Sequence, residues 1–197
     1  MSVFVPADYF RALRHEEIFP DAARPLEIDL GSGDGTFLVE MARQHPERDF
    51  LGVERLYGRI AKTAKKIKRA GLTNAKILQL ESAYTVAWLL PAASVSRLHL
   101  LCPDPWPKKR HHKNRLVNSE EFLGGLERIL APGGEFLLKT DHEEYFANAV
   151  ENLSLRPAFD RLDWADDDFF YPQTDFEKHW LSQGLRIHRG RWRKTAS

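Results

Sequence analysis

One cysteine, Cys102, and two methionines hold all the sulfur in this chain of 197 residues. A lone thiol excludes an internal disulfide framework and any multi-cysteine metal cluster. Long apolar runs are missing too. No stretch approaches the roughly 20 residues that a membrane-spanning helix needs, so a soluble chain with no membrane partner is expected. Residues 1–21 scatter Asp8, Arg11, Arg14, Glu16 and Glu17 among isolated apolar side chains and lack the unbroken apolar centre of a secretory signal. A cytoplasmic location is the expectation. The eight histidines show neither H-x-x-x-H nor facial-triad spacing, so no metal site is expected.

A large excess of one charge is also absent, since the formal net charge is only +1. The charges are nevertheless segregated. Residues 55–79 carry eight cations and no acid, 108–115 carry five cations, 180–197 carry five more without an acid, and 160–168 hold five aspartates. One such block alone reads as a solvated face or tail. Three basic blocks together point to a polyanion.

With 43% hydrophobic residues, the chain is long enough for one domain with a substantial core. Periodicity predicts strands over 26–30, 50–53, 75–80, 95–101 and 135–140, alternating with helices over 35–44, 57–70, 84–90, 118–130 and 143–153. Asn118, with Glu121 three positions on, is the expected cap of the fourth helix. Pro132-Gly133-Gly134 turns the chain into the fifth strand. An acidic loop, a short helix over 175–183 and a strand over 185–192 complete the reading. Strands and helices alternating in this way imply an α/β fold: a mostly parallel twisted sheet, helices on both faces, ligands at the carboxyl ends of the strands. Residues 1–25 are expected to form an N-terminal extension to a single domain over 26–197.

The stretch LEIDLGSGDGTFLVEMA places Asp29, Gly31, Gly33 and Gly35 at the first strand-to-helix junction. Glycines there let the backbone turn sharply and approach a ligand. The dinucleotide pattern G-x-G-x-x-G fails at its last glycine, where Thr36 stands. An acid at the head of the loop suits a cofactor with a cationic amine better than a diphosphate, and S-adenosylmethionine carries both an ammonium and a sulfonium. Glu54, ending the second strand, can accept hydrogen bonds from ribose hydroxyls. Glu81, after the third, can approach an adenine amino group or cap the following helix.

Asp104 follows the fourth strand and so falls at the same edge. Pro103 and Pro105 restrict the backbone on either side of it. Asp-Pro alone would mark a turn, but here the basic run comes directly after.

The strings DLGSGDG, LGVE, PDPWPKKRHHKNRL, KTD and TDFEK, in that order, resemble the bacterial tRNA (guanine-N7)-methyltransferases over almost everything from Leu26 to Trp192. The resemblance implies a Rossmann-like class I methyltransferase fold, S-adenosyl-L-methionine as cofactor, and tRNA as partner, with guanosine 46 of the variable loop as target. It implies that Asp29, Glu54, Glu81 and Asp104 are cofactor-site acids, Asp104 doubling as the catalytic residue, around Gly31, Gly33 and Gly35. Lys108, Asp141 and Thr174, Asp175, Phe176 and Glu177 match substrate-binding positions. Arg110, His111, His112, Lys113 and Arg115, with Lys109 beside them, match an RNA-contacting stretch. Asp29 and Glu81 each stand where the family more often has the other acid. A monomer or homodimer is expected. Two rival functions are weighed: an RNA-binding protein that has lost catalysis, which intact Asp29, Glu54 and Asp104 oppose, and a methyltransferase for a small molecule or protein, which the basic run opposes. Both 140–143 and 174–177 also fit a capping box, and Cys102 at a strand end reads as a buried thiol before it reads as a nucleophile.

Overall fold

The computed structural model describes residues 2–21, 23–165 and 167–195. Its first elements are β1 (Val3–Phe4), α1 (His15–Ile18), β2 (Leu26–Leu30), α2 (Thr36–Gln44), β3 (Asp49–Glu54), α3 (Tyr57–Arg69) and β4 (Ala75–Gln79). A short helix α4 (Ser82–Tyr84) then widens into a π-helical turn, Thr85–Leu89, before β5 (Val95–Leu101). Two 3-10 turns, Lys109–Asn114 and Leu116–Asn118, lead to α5 (Glu120–Ile129), β6 (Leu130–Thr140) and α6 (Glu143–Ser154). The chain closes with β7 (Phe159–Leu162), α7 (Asp175–Ser182) and β8 (His188–Lys194).

The strands form one sheet in the order β1-β4-β3-β2-β5-β6-β8-β7. The first six are parallel, and only β8 and β7 run antiparallel to their neighbours. All residues of β2 and β3 are buried, as expected for central parallel strands covered on both faces. One core holds α5 through Phe122, Leu123, Leu126 and Ile129, together with Tyr145, Ala149 and Leu153 of α6. Each large apolar side chain buried there contributes about 2 kcal/mol. On the opposite face Phe37, Leu38 and Met41 of α2 pack with Ile67 of α3.

Residues ahead of Leu26 join this architecture. Val3 and Phe4 pair with Ile77 and Leu78, Leu13, Ile18 and Phe19 enter the main core, and the Tyr84 hydroxyl donates to the Tyr9 carbonyl at 2.7 Å.

Two elements correct the sequence reading. Helix α5 begins at Glu120 because Ser119, not Asn118, is its cap, its Oγ accepting from the Phe122 N–H at 3.2 Å. The Asn118 amide is engaged with the His112 carbonyl at 3.0 Å. The expected acidic loop begins instead as strand β7, which pairs Asp160 with Arg193 and Arg161 with Trp192.

Candidate cofactor site and nucleic-acid interface

The carboxyl ends of β2, β3 and β5 border two adjoining hollows. Strand β2 delivers Asp29, whose side chain is 3% exposed and whose Oδ2 has no hydrogen-bond partner. Burial, reinforced by the nearby Glu54 charge, raises its carboxyl to about 7. A buried carboxyl without a partner, lining a cavity, is a seat for a cation.

Gly31, Gly33 and Gly35 take φ values of +69°, +58° and +78°, a region glycine enters without steric penalty. The turn brings the Gly33 N–H to Glu54 Oε2 at 3.1 Å. Glu54 Oε1 accepts from the N–H groups of Arg55 and Leu56 at 2.8 and 2.9 Å. The carboxylate is thereby fixed at the end of β3 with acceptor capacity left on Oε2. Gly35 answers a different demand. A Cβ there would lie 2.4 Å from Thr63 Cγ2, so the approach of α2 to α3 requires glycine. Glu81 caps α4, accepting from the N–H groups of Ala83 and Tyr84 at 3.0 and 2.7 Å, while also lining the first hollow.

The hollows have volumes of about 250 and 310 Å³ and share Gly31, Arg59, Leu101, Cys102 and Asp104. Glu54, Glu81 and Tyr145 lie in the first; Asp29, Phe37, Thr174, Asp175 and Phe176 lie in the second. Asp104 is exposed at their junction. Two residues before and after it, Cys102 and Trp106 both have φ of +46°, strained for non-glycine residues and tolerated where the surrounding structure imposes it. The bonds that impose it are visible. The Cys102 N–H donates to the Lys139 carbonyl at 2.8 Å. Arg115 donates from Nε to the Pro105 carbonyl at 2.8 Å, with Nη2 3.5 Å from the Trp106 carbonyl. Its other partners come from α6: Asn148 Oδ1 at 2.7 Å and Glu144 Oε2 at 3.2 Å. Arg115 therefore departs from the expectation that grouped it with the RNA-contacting stretch. Its side chain is fully buried, its donors turned onto the backbone of the Asp104 loop.

Comparison with known proteins places the chain in a family. Residues 23–190 match the family model described as "Putative methyltransferase". A tRNA (guanine-N(7)-)-methyltransferase of Syntrophotalea carbinolica is 34% identical over 83% of this chain and 72% of its own. That of Geobacter metallireducens is 31% identical over 88% of this chain and 84% of its own. The chain belongs to the tRNA (guanine-N7)-methyltransferase family. Among solved structures, the aminoglycoside resistance methyltransferase NpmB1 shares the fold with a TM-score of 0.64 at 19% identity, covering 93% of this chain and 94% of that one. TrmN from Thermus thermophilus superposes with a TM-score of 0.61 at 19% identity, over 87% of this chain and 45% of its own.

In this family member Lys108, Lys109, Arg110 and Lys113 are exposed around the first 3-10 turn. The His111 ring lies 5.9 Å from that of Trp106, and His112 lies 3.7 Å from Glu144. Thr174 caps α7, its Oγ1 accepting from the Glu177 N–H at 3.0 Å. The capping box stops there, because the buried Glu177 carboxylate turns instead to Lys139 Nζ at 2.7 Å. Asp141, Thr174 and Glu177 gather around Cys102. Burial first, then the Asp141 and Glu177 charges, push that thiol up to about 12, so it stays protonated and is no nucleophile at neutral pH. The capping-box reading of 140–143 also fails in detail: Thr140 Oγ1 accepts from the His142 N–H at 3.1 Å, and the cap of α6 is His142, whose Nδ1 accepts from the Tyr145 N–H.

Among the lining residues that sequence reasoning missed are Arg59 and Tyr145. Arg59 sits 3.7 Å from Glu54 and 5.9 Å from the Phe176 ring, and the acid-free run over 55–79 was its only signal. Tyr145 borders the first hollow from a position that α6 periodicity assigns to the core.

Proposed function

We propose that this enzyme methylates N7 of a guanosine in tRNA, guanosine 46 of the variable loop, using S-adenosylmethionine. The observation that carries the reading is the position of Asp104, shared by the hollow containing Glu54 and the hollow containing Thr174 and Phe176. S-adenosylmethionine would supply a methyl group on a cationic sulfur, ready for a nucleophile. The unpartnered Asp29 carboxyl fits its ammonium, Glu54 its ribose hydroxyls, and Glu81 the adenine side.

Guanine N7 has a free lone pair even in a paired base, so no residue need remove a proton from it. The demands on this chain are in-line placement and stabilisation of the positive charge that grows on the purine. A carboxylate held on a strained, braced loop meets the second demand. It also accepts hydrogen bonds from the guanine N1 and N2 edge. Thr174, Phe176 and Asp141 complete the guanosine side, while Lys108, Lys109, Arg110 and Lys113 neutralise phosphates around it.

The test is transfer of labelled methyl to an unmodified tRNA transcript and to the same transcript with guanosine 46 replaced by adenosine. The expected result is labelled product from the first and none from the second. Equal labelling of both would overturn the assignment of position 46.

A further inference from the structure

The C-terminal basic block divides into two groups. Arg191 and Arg193 reach Glu135 at 2.7 and 3.0 Å. Lys194 Nζ donates to the carbonyls of Glu127 and Leu130 at 2.6 and 2.9 Å. These three hold the sheet edge together. Arg186, between α7 and β8, goes elsewhere: with Arg161 of β7 it lines a cavity of about 590 Å³.

The wall of this cavity brings cationic and aromatic side chains together. Phe146 and His188 stack at 5.4 Å with 26° between their planes, and the Arg161 guanidinium lies 5.8 Å from the Phe146 ring. A cation resting on an aromatic face is positioned in advance of a ligand. Lys139 and Glu177, also in the wall, neutralise each other at 2.7 Å. Among the described residues no carboxylate pairs with Arg161 or Arg186. The lining is cationic in sum.

Its location is equally informative. Gln173 and Glu177 border this cavity, while Thr174, Asp175 and Phe176 border the second hollow of the candidate site. One short segment of chain thus separates a hollow lined by Asp29 and Asp104 from one lined by Arg161 and Arg186. The guanidinium fork matches phosphate oxygens, and a polynucleotide entering the second hollow with a base must carry its phosphates past the rim.

We propose that the Arg161–Arg186 cavity seats a phosphodiester of the RNA next to the target guanosine. The inference rests on tRNA being the substrate. It extends the RNA-contacting surface from the loop after β5 to the antiparallel edge formed by β8 and β7.

The double variant Arg161→Gln/Arg186→Gln tests it, assayed with unmodified tRNA between about 50 and 200 mM salt. KM for tRNA is expected to rise roughly tenfold, and the slope of log KM against log salt to fall by about 0.7, the value for one phosphate that is no longer neutralised on a single strand. Retained S-adenosylmethionine affinity, measured by calorimetry, marks an intact fold. Arg186→Gln alone, at an exposed loop position, repeats the test, with a smaller rise in KM and a smaller fall in slope expected. Unchanged KM and slope in both variants, with the wild type producing 7-methylguanosine, overturn the phosphate seat and leave the proposed reaction standing. A wild type that transfers no methyl to tRNA removes both at once.

Discussion

Arg115 Nε donates to the Pro105 carbonyl at 2.8 Å, so a fully buried cation braces the loop that presents Asp104. The same guanidinium reaches Asn148 and Glu144 of α6. The loop after β5 is thus tied to a helix on one face of the sheet, and the loop carries strained residues on either side of Asp104.

Arg115→Ala is expected to destabilise the fold by about 2–4 kcal/mol, because carbonyls and the Asn148 amide lose charge-assisted bonds in a buried setting. It should also lower kcat, since Asp104 loses its brace. Arg110→Ala, at an exposed position of the same run, should leave stability unchanged and raise KM for tRNA. Denaturant unfolding and steady-state kinetics on both variants check the contrast. Equal stability losses would refute the division between a bracing arginine and a phosphate-binding one.

The role proposed for Asp29 implies that cofactor affinity depends on pH. Its carboxyl keeps a proton up to about pH 7, yet must release it to pair with an ammonium. Affinity for S-adenosylmethionine should therefore fall about tenfold per pH unit below that value and level off above it. Asp29→Asn should bind weakly with a flat profile from pH 5 to 7. The sign for stability is opposite. The unfolded chain ionises Asp29 near its ordinary value while the folded chain resists, so stability contributed at low pH is lost as pH rises through the folded value. Asp29→Asn without cofactor should consequently melt above the wild type at pH 8, and the gap should close towards pH 4.

The loop glycines should separate by phenotype. Gly35→Ala combines positive φ with an approach of 2.4 Å to Thr63 and should destabilise by several kcal/mol, about 2–4 from strain and overpacking together. Gly31→Ala meets nothing within 4 Å. Its expected effect is about 1–2 kcal/mol of backbone strain, with the larger loss in cofactor affinity. Thermal melts and calorimetric titration distinguish the two.

Much of this arrangement was legible in the sequence, and the reasons are physical. Strands β2 to β5 are buried between helices, so their apolar runs stand out and their ends, with Asp29 and Glu54, could be placed within a residue. The edge strands were not legible. β1 has two residues, and β7 reads Phe-Asp-Arg-Leu, polar enough to pass for a loop. Nor does a run of cations reveal which member turns inward. Arg115 differs from Arg110 by its neighbours in space, the Pro105 and Trp106 carbonyls and the Asn148 amide, and none of these follows from spacing along the chain.

Asp104→Asn keeps the size of the side chain and removes its charge. If that charge stabilises the methylated purine, kcat should fall by about 10²–10³-fold, with tRNA affinity by filter binding nearly intact. Parallel losses in both would assign Asp104 to binding alone.

The most direct measurement is the identity of the methylated nucleoside formed from unmodified tRNA and labelled S-adenosylmethionine. The account predicts 7-methylguanosine. A different methylated nucleoside, or none from a folded protein that binds the cofactor, would contradict it.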